Sequence, residues 1–169
     1  MTHVVLSLGS NIDRERNIQY AIDCLREIWG ELDVSPIYET SSVGFDGPAF
    51  FNLIVGMHSE QSLQDIIDHL KAIETQAGRI RGPKTFDSRV LDIDVVLYGD
   101  NNFREQGINV PRDEIEKYAY VLKPLADIYP DLEYPVTGER FENMWQSFEM
   151  KDQTLFIAEL SINDAIEQS

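Results

Sequence analysis

The sequence has few basic residues, one cysteine and no long apolar run. Its 169 residues include only 14 lysines and arginines against 30 aspartates and glutamates, for a net charge of −16. A broad nucleic-acid surface or a partner membrane is therefore not expected, because both need clustered positive charge. The single thiol, Cys24, allows neither a disulfide within the chain nor a multi-cysteine zinc site. Without a spanning run or a signal-peptide pattern, the sequence predicts a cytoplasmic protein.

The glycine-rich phosphate motifs are also absent. Neither G-x-x-x-x-G-K-[ST] nor G-x-G-x-x-G occurs in the sequence. This excludes the common P-loop and dinucleotide-binding architectures at the level of motif. A nucleotide would need a different kind of phosphate site.

Hydrophobic periodicity predicts a β-α-β-β-α-β order. Helical spacing runs from Ile18 to a stop at Gly30, and again from an N-cap at Ser62 to a stop at Gly78. Extended runs are predicted at 4–8, 32–40, 50–58 and 89–98, the first ending at the loop-forming triplet Gly9-Ser10-Asn11. This order is typical of an α+β, ferredoxin-like fold, in which two helices cover one face of an antiparallel sheet.

The rest of the chain is predicted to form an appendage to that fold. Four prolines punctuate residues 111–135, with a short helix predicted near 112–119 or 123–128. We expect one domain over 1–147 and an acidic, partly helical C-terminal extension over 148–169. The sequence is compatible with a monomer or a weak dimer.

The clearest chemical feature is the pair Asp92 and Asp94 inside an apolar strand. Strand alternation places both carboxylates on one face, about 7 Å apart, and Leu91, Ile93, Val95 and Leu97 on the other. Hard carboxylate oxygens beside phosphates suit Mg²⁺, and two such ions can serve a phosphoryl transfer. Pairing with arginines, or a solvated sheet face, is the alternative.

The segment before these aspartates reverses the charge of the chain. Residues 71–89 hold five bases against two acids. Arg79 and Arg81 would point the same way in an extended backbone, and arginine forks grip phosphate oxygens. A basic segment beside two carboxylates that could bind Mg²⁺ predicts a polyphosphate substrate. The other interpretation is that these arginines are solvated loop residues.

On the predicted strand 50–58, Phe50 and Asn52 share a face. An aromatic ring beside an amide is a plausible seat for a flat heterocycle, because the ring stacks and the amide reads its edge. An ordinary core position for Phe50 is the alternative.

Taken together, these motifs resemble the 6-hydroxymethyl-7,8-dihydropterin pyrophosphokinases of folate synthesis. The resemblance runs in order from His3 to Trp145 and is carried by LGSN at 8–11, SPIYET at 35–40, FN at 51–52, GRIR at 78–81 and RVLDIDVVLYG at 89–99. It implies a ferredoxin-like enzyme that binds ATP with two Mg²⁺ ions. Such an enzyme moves pyrophosphate from ATP to the pterin hydroxymethyl group and releases AMP.

The resemblance also implies roles for individual residues. Asp92 and Asp94 would bind both metal ions, and together with Arg79 and Arg89 would be the catalytic residues. The pterin would contact Thr40, Ser41, Val43, Phe50, Asn52 and Tyr120. ATP would contact Lys71, Glu74, Arg79, Arg81, Arg89 and Arg112. Loops 41–49 and 82–88 would be the lids that exclude water.

Two regions depart from the family pattern. The second lid has Phe86, Asp87 and Ser88 where the family has a tryptophan and Gly-Pro, and three nucleotide-side positions read Arg112, Asp113 and Tyr118. Asp113 would repel a phosphate, and Tyr118 supplies no charge. Two other functions therefore stay open at this point: a silent paralogue that binds pterin or nucleotide as a regulatory module, and a Mg-dependent phosphotransferase acting on another metabolite.

Overall fold

The computed structural model describes residues 1–40, 49–81 and 90–158, with the backbone alone for 79–81. The strands are β1 (Thr2–Ser10), β2 (Asp33–Val34), β3 (Tyr38–Thr40), β4 (Phe50–Ser59), β5 (Asp92–Tyr98) and β6 (Phe156–Ile157). The helices are α1 (Arg14–Trp29), α2 (Leu63–Arg81), α3 (Glu114–Lys117), α4 (Ala119–Ile128) and α5 (Phe141–Gln146), with a 3-10 turn at Arg104–Gln106. None of the helices in these ranges is both long enough and apolar enough to span a membrane.

The described strands form one antiparallel sheet in the order β5-β1-β4-β3-β6, with β2 also paired to β4. Leaving out β6 and the short β2, this is the strand order of a split βαβ unit, with β1 at the centre between β4 and β5. The predicted α+β, ferredoxin-like fold with helices packed on an antiparallel sheet is confirmed.

Two apolar clusters lie on opposite faces of the sheet. One contains Leu6, Leu8, Leu53 and Val55 with the apolar positions of α1 and α2. The other packs Val5, Ile54, Val96 and Leu97 against α4 and the segment after it. Helices thus cover both faces, whereas the sequence predicted coverage of one face only. The second cover comes from the proline-rich region, whose helices are too short for periodicity to assign firmly.

A register shift changes the predicted alternation of β5. Leu6 of β1 is opposite Val95, but its neighbour Val5 is opposite Leu97, so Val96 is an extra residue on β5. Such a bulge moves the following side chains to the other face. Leu97 therefore lies with Val5 on the α4 side, and the prediction that it shares a face with Ile93 was wrong.

The helix ends were predicted with mixed success. Gly30 ends α1 with φ of 80°, a conformation that favours glycine, and the Ser62 hydroxyl accepts a hydrogen bond from the Asp65 amide at 3.2 Å. Gly78, however, does not end α2, which continues to Arg81. An interior glycine costs a helix only about 1 kcal/mol, which the packed face of α2 offsets.

The longer helix overturns one site prediction. Arg79 and Arg81 lie on helical backbone, not extended backbone. The predicted shared direction of the two side chains rested on an extended backbone, which this segment does not have. Their side chains lie outside the described part of the structure.

Candidate functional site

A row of paired residues crosses the sheet on the α4 side. Asn52 of β4 is opposite both Tyr38 of β3 and Gly9 of β1, and Gly9 is in turn opposite Asp92 of β5. Residues directly opposite each other in an antiparallel sheet share a face. The Asn52 and Asp92 side chains therefore lie on the same face of the sheet. They are separated by β1, whose residue in this row is Gly9.

The next row carries the second aspartate. Ser7 of β1 lies between Ile54 and Asp94. Because Ile54 belongs to the cluster packed on α4, Asp94 is on that face too. The prediction that Asp92 and Asp94 share one face thus agrees with the register, and both side chains are partly exposed.

The Asn52 side chain is held by a neighbour that was also predicted for the pterin site. Its Nδ2 atom donates a hydrogen bond to the Thr40 hydroxyl oxygen at 3.1 Å, and both residues are buried. Thr40 pairs with Phe50 across β3 and β4. Strand alternation puts Phe50 on the same face as Asn52, so three of the six predicted pterin residues form one group.

Gly9 is a site residue that the sequence reading missed, having placed it in a loop after the strand. It is instead a residue of β1, between Asn52 and Asp92. A Cβ atom at this position would lie 3.0 Å from Asn52 Oδ1 and 4.0 Å from a ring carbon of Phe50. The missing side chain leaves space directly beside the predicted pterin residues.

We expect Gly9→Ala to impair this part of the site. The added methyl group presses on an amide that Thr40 already holds. This contact should lower the free energy of unfolding by about 1–3 kcal/mol and weaken ligand binding at the predicted pterin residues about tenfold. Denaturant unfolding and ligand titration measure the two effects. The matched control is Gly78→Ala, because a Cβ there meets no atom of the described residues within 4 Å apart from its neighbours and the backbone of its own helix. An equal loss of binding in both variants would contradict the explanation.

Asp94 sits in a mixed electrostatic environment. Burial raises the pKa of its carboxyl, the Arg112 guanidinium lowers it, and the Glu114 carboxylate raises it again. Arg112 Nη1 is 3.8 Å from Asp94 Oδ1, while its Nε donates to Glu114 Oε1 at 2.6 Å. Asp94 therefore has a charged partner, as in the alternative in which the aspartates pair with arginines. The contact is long, however, because Glu114 binds the same guanidinium more closely.

Glu74 fixes the backbone between the two aspartates. β5 is an edge strand, and the Ile93 amide donates a hydrogen bond to Glu74 Oε2 at 2.7 Å. A carboxylate from α2 thereby occupies a backbone donor that the sheet leaves open at this edge. The contact orients the strand that carries Asp92 and Asp94.

A groove of about 200 Å³ lies along this edge of β5. It brings together three of the predicted ATP-binding residues, Lys71 and Glu74 on α2 and Arg112 in the segment before α3, with Asp94. Its walls also include Leu70, Val95 and Val110. The groove thus combines an apolar lining with two carboxylates, Glu74 and Asp94, and two basic groups at the strand of the aspartates.

Asp113 has a local partner that the sequence did not reveal. Its Oδ2 atom accepts a hydrogen bond from Lys117 at 2.8 Å, and its Oδ1 atom accepts one from Asn109 at 3.1 Å. These bonds hold the pKa of this carboxyl below its usual value. Its charge is thus engaged on the surface, which weakens the argument that it repels a phosphate.

Tyr120 lies in the first turn of α4, packed against the second cluster. Its ring stacks on Tyr118 with centroids 5.1 Å apart. Burial raises the pKa of its phenol, and the charges of Glu114 and Asp94 contribute in the same direction. Tyr120 is therefore on the same side of the sheet as Phe50, in electrostatic range of Asp94.

Arg14 is a second residue that sequence reasoning missed. It forms an ion pair with Glu39 of β3 at 2.7 Å, and its Nη1 donates to the Ala49 carbonyl at 2.8 Å. Glu39 precedes the predicted lid 41–49, and Ala49 is its last residue. Arg14 thus ties together the two chain segments that flank residues 41–48. No spacing rule links these positions, so only the folded structure reveals the contact.

Several predicted residues fall outside the described residues. They are Ser41, Val43, Arg89, most of both predicted lids and the departures Phe86, Asp87 and Ser88. Their roles stay predictions.

The chain matches a known family over most of its length. Residues 5–130 match the model of the 7,8-dihydro-6-hydroxymethylpterin-pyrophosphokinase family. The chain is 35% identical over 136 residues to a Pseudomonas aeruginosa 2-amino-4-hydroxy-6-hydroxymethyldihydropteridine pyrophosphokinase, covering 78% of this chain and 83% of that protein. It is also 36% identical over 142 residues to the Schizosaccharomyces pombe folic acid synthesis protein fol1, covering 79% of this chain but only 19% of that longer protein.

Structural comparison agrees on the fold. A crystal structure of Plasmodium falciparum HPPK-DHPS with SDX-DHP superposes with a TM-score of 0.66 at 13% identity, over 86% of this chain and 43% of that one. At this identity the similarity concerns the fold alone. With the family match over residues 5–130 and the bacterial relative matched over most of its length, the chain belongs to the 7,8-dihydro-6-hydroxymethylpterin-pyrophosphokinase family.

Proposed function

We propose that this chain transfers the pyrophosphoryl group of ATP to the hydroxymethyl group of 6-hydroxymethyl-7,8-dihydropterin and releases AMP, in folate biosynthesis. Family membership supports the reaction. The observation that supports it in this chain is the row Asn52–Gly9–Asp92, because it lies on one sheet face and holds the amide that we assign to the pterin and a carboxylate that we assign to the phosphate side. A cytoplasmic location and a monomeric or weakly dimeric state stay predictions.

In our proposal the pterin occupies this face and ATP occupies the adjoining edge of the sheet along β5. The pterin ring lies between Phe50 and Tyr120, with the Asn52 amide at its edge. ATP lies in the groove along β5, its phosphates near Asp94 and Arg112. Arg79 and Arg81, at the end of α2, and Arg89, after it, complete the phosphate contacts in this proposal. Ser41 and Val43 complete the pterin seat.

The reaction is an in-line displacement at the β-phosphorus of ATP. The pterin hydroxyl oxygen forms the new P–O bond, the bond to the α-phosphate oxygen breaks, and AMP leaves with that electron pair. The hydroxyl proton passes to solvent or to a carboxylate. The chain mainly supplies positioning and electrostatic stabilisation, because phosphoryl transfer needs little covalent work from the protein.

Two Mg²⁺ ions are part of the proposal, with Asp92 and Asp94 as their protein ligands. Both side chains offer hard carboxylate oxygens on one face, and Mg²⁺ commonly takes one or two carboxylates beside substrate phosphates. The described residues hold no group of three or more histidine, cysteine or acidic side chains suited to a metal ion. When bound, the ions neutralise phosphate charge and align the attacking and leaving oxygens.

Identifying the nucleotide product tests the proposal. The protein is incubated with Mg-ATP and 6-hydroxymethyl-7,8-dihydropterin, and the nucleotides are separated by chromatography. We expect AMP only when the pterin is present. ADP would mean single-phosphate transfer and would overturn the reaction. Pterin binding without AMP would indicate a silent paralogue, and AMP formation with another acceptor would indicate a different metabolite.

A further inference from the structure

The segment after α5 contacts both sides of the proposed pterin seat. Gln153 binds at the corner between α3 and α4, and β6 then pairs with β3. From Gln153 to Phe156 are three residue steps, which span at most about 10 Å of extended chain. This segment, residues 153–158, therefore links the element that carries Tyr120 to the strand that carries Thr40 over a short distance.

The Gln153 amide closes the corner between the two helices. Its Nε2 atom donates to the carbonyl of Lys117, the last residue of α3, at 2.9 Å. The amide N–H of Ala119, the first residue of α4, donates to Gln153 Oε1 at 2.7 Å. Helix ends carry backbone groups without intrahelical partners, so one side chain satisfies a carbonyl of one helix and a donor of the next.

The corner's own bonds are backbone bonds of Tyr118, whose amide donates to the Glu114 carbonyl and whose carbonyl accepts from the Val121 and Leu122 amides. Tyr118 separates the helices in an extended conformation, with φ of −121° and ψ of 127°, and makes no side-chain cap bond to α4. The angle between α3 and α4 is consequently fixed in part from outside, by Gln153. Tyr120, the second residue of α4, follows any movement of that corner.

The other end of the segment supports β3. Ile157 is opposite Tyr38 and Phe156 is opposite Glu39, and the Ala158 amide donates to the Ile37 carbonyl at 2.8 Å. β3 has only three residues, and its last one, Thr40, holds Asn52. Pairing with β6 thus covers an outer edge of the short strand that positions the Asn52 amide.

We propose that residues 153–158 act as a strap that positions the two halves of the pterin seat, with Gln153 as a positioning residue for Tyr120. This proposal rests on the proposed function, which assigns the pterin to that seat. The contacts of the strap are mainly hydrogen bonds. The Phe156 and Ile157 side chains are 63% and 61% exposed, so they bury little apolar surface. Loss of the strap should accordingly affect local order more than overall stability.

The first test compares Gln153→Ala, Gln153→Glu and the control Gln146→Ala, which removes an exposed glutamine at the end of α5. We expect Gln153→Ala to raise the KM for the dihydropterin about tenfold, with the KM for ATP and the melting temperature unchanged. Gln153→Glu keeps an acceptor for the Ala119 amide and should recover part of the loss. Equal rises in both KM values, or an unchanged pterin KM, would overturn the proposal.

The second test needs no turnover, so it separates the strap from the proposed reaction. Hydrogen exchange of the amides of residues 119–122 should accelerate in Gln153→Ala and not in Gln146→Ala. Ala158→Pro removes the amide that bonds to Ile37 and should accelerate exchange at 38–40. Unchanged exchange in these segments would overturn the strap whether or not AMP is formed. If hydrogen exchange accelerates as expected but the chain forms no AMP, the strap is supported and the proposed reaction is rejected.

Discussion

Replacing Asp94 by alanine is expected to lower the rate of AMP formation at least about a thousandfold while the chain keeps its stability. The loss follows from the proposed role of Asp94 as a carboxylate that holds metal ions against the phosphates. Removing it takes away a ligand of the metal ions that would neutralise the phosphate charge, and of the two carboxylates on this strand face only Asp92 remains. Asp92→Ala should have a comparable effect.

The stability expectation comes from the environment of the carboxylate. Burial raises the pKa of Asp94, so its ionised form is disfavoured where it stands, and its contact with Arg112 is 3.8 Å long. Arg112 keeps Glu114 as a closer partner after the substitution. We therefore expect the free energy of unfolding to change by no more than about 0.5 kcal/mol, as for an ordinary partly exposed position.

Two measurements separate a catalytic from a structural role for Asp94. The rate of AMP formation at saturating substrates gives the chemical effect, and the denaturant midpoint gives the stability. Asp100→Ala is the matched control, since it removes an exposed carboxylate in the turn after β5. A near wild-type rate in Asp94→Ala would reject the metal role, and parallel losses of rate and stability would make Asp94 a structural residue.

The sequence predicted most of the fold because its signals are local. Two amphipathic helices and the alternation around Asp92 and Asp94 depend on residues a few positions apart. The bulge at Val96 is different, since it arises from pairing with β1 and leaves no trace in the pattern of three consecutive apolar residues. The continuation of α2 past Gly78 likewise depends on packing, which overrides one unfavourable residue.

The site was predictable where a residue type is unusual for its sequence context and so indicates a chemical role. Carboxylates in an apolar strand and an amide beside an aromatic ring are unusual enough to be noticed. Gly9 was not noticed as a site residue, because the sequence Gly-Ser-Asn is typical of a turn. Its role depends on Asn52, which is 43 positions away in the sequence. Gln153 acts through backbone groups of a distant segment, and Arg14 acts through the Glu39 carboxylate and the Ala49 carbonyl. The sequence carries no signal for such contacts.

Replacing Asn52 by alanine should produce the complementary defect, a loss of pterin binding without a loss of ATP binding. The Asn52 amide has two N–H donors and one acceptor, and the Thr40 hydroxyl uses one donor. In our proposal the remaining groups read the edge of the pterin. Truncation leaves a buried ligand edge without partners, so we expect the pterin Kd to rise about 10- to 100-fold.

Asn101→Ala, which removes an exposed amide in the turn after β5, is the control for Asn52→Ala. The loss of the buried bond to Thr40 should lower the free energy of unfolding by about 1 kcal/mol. Titrating each variant separately with the dihydropterin and with Mg-ATP distinguishes the two halves of the site. Because Asn52 and Asp94 lie on different strands with β1 between them, their defects should fall on different ligands. An Asn52→Ala variant that weakened ATP as much as pterin would mean that the proposed seat is in the wrong place.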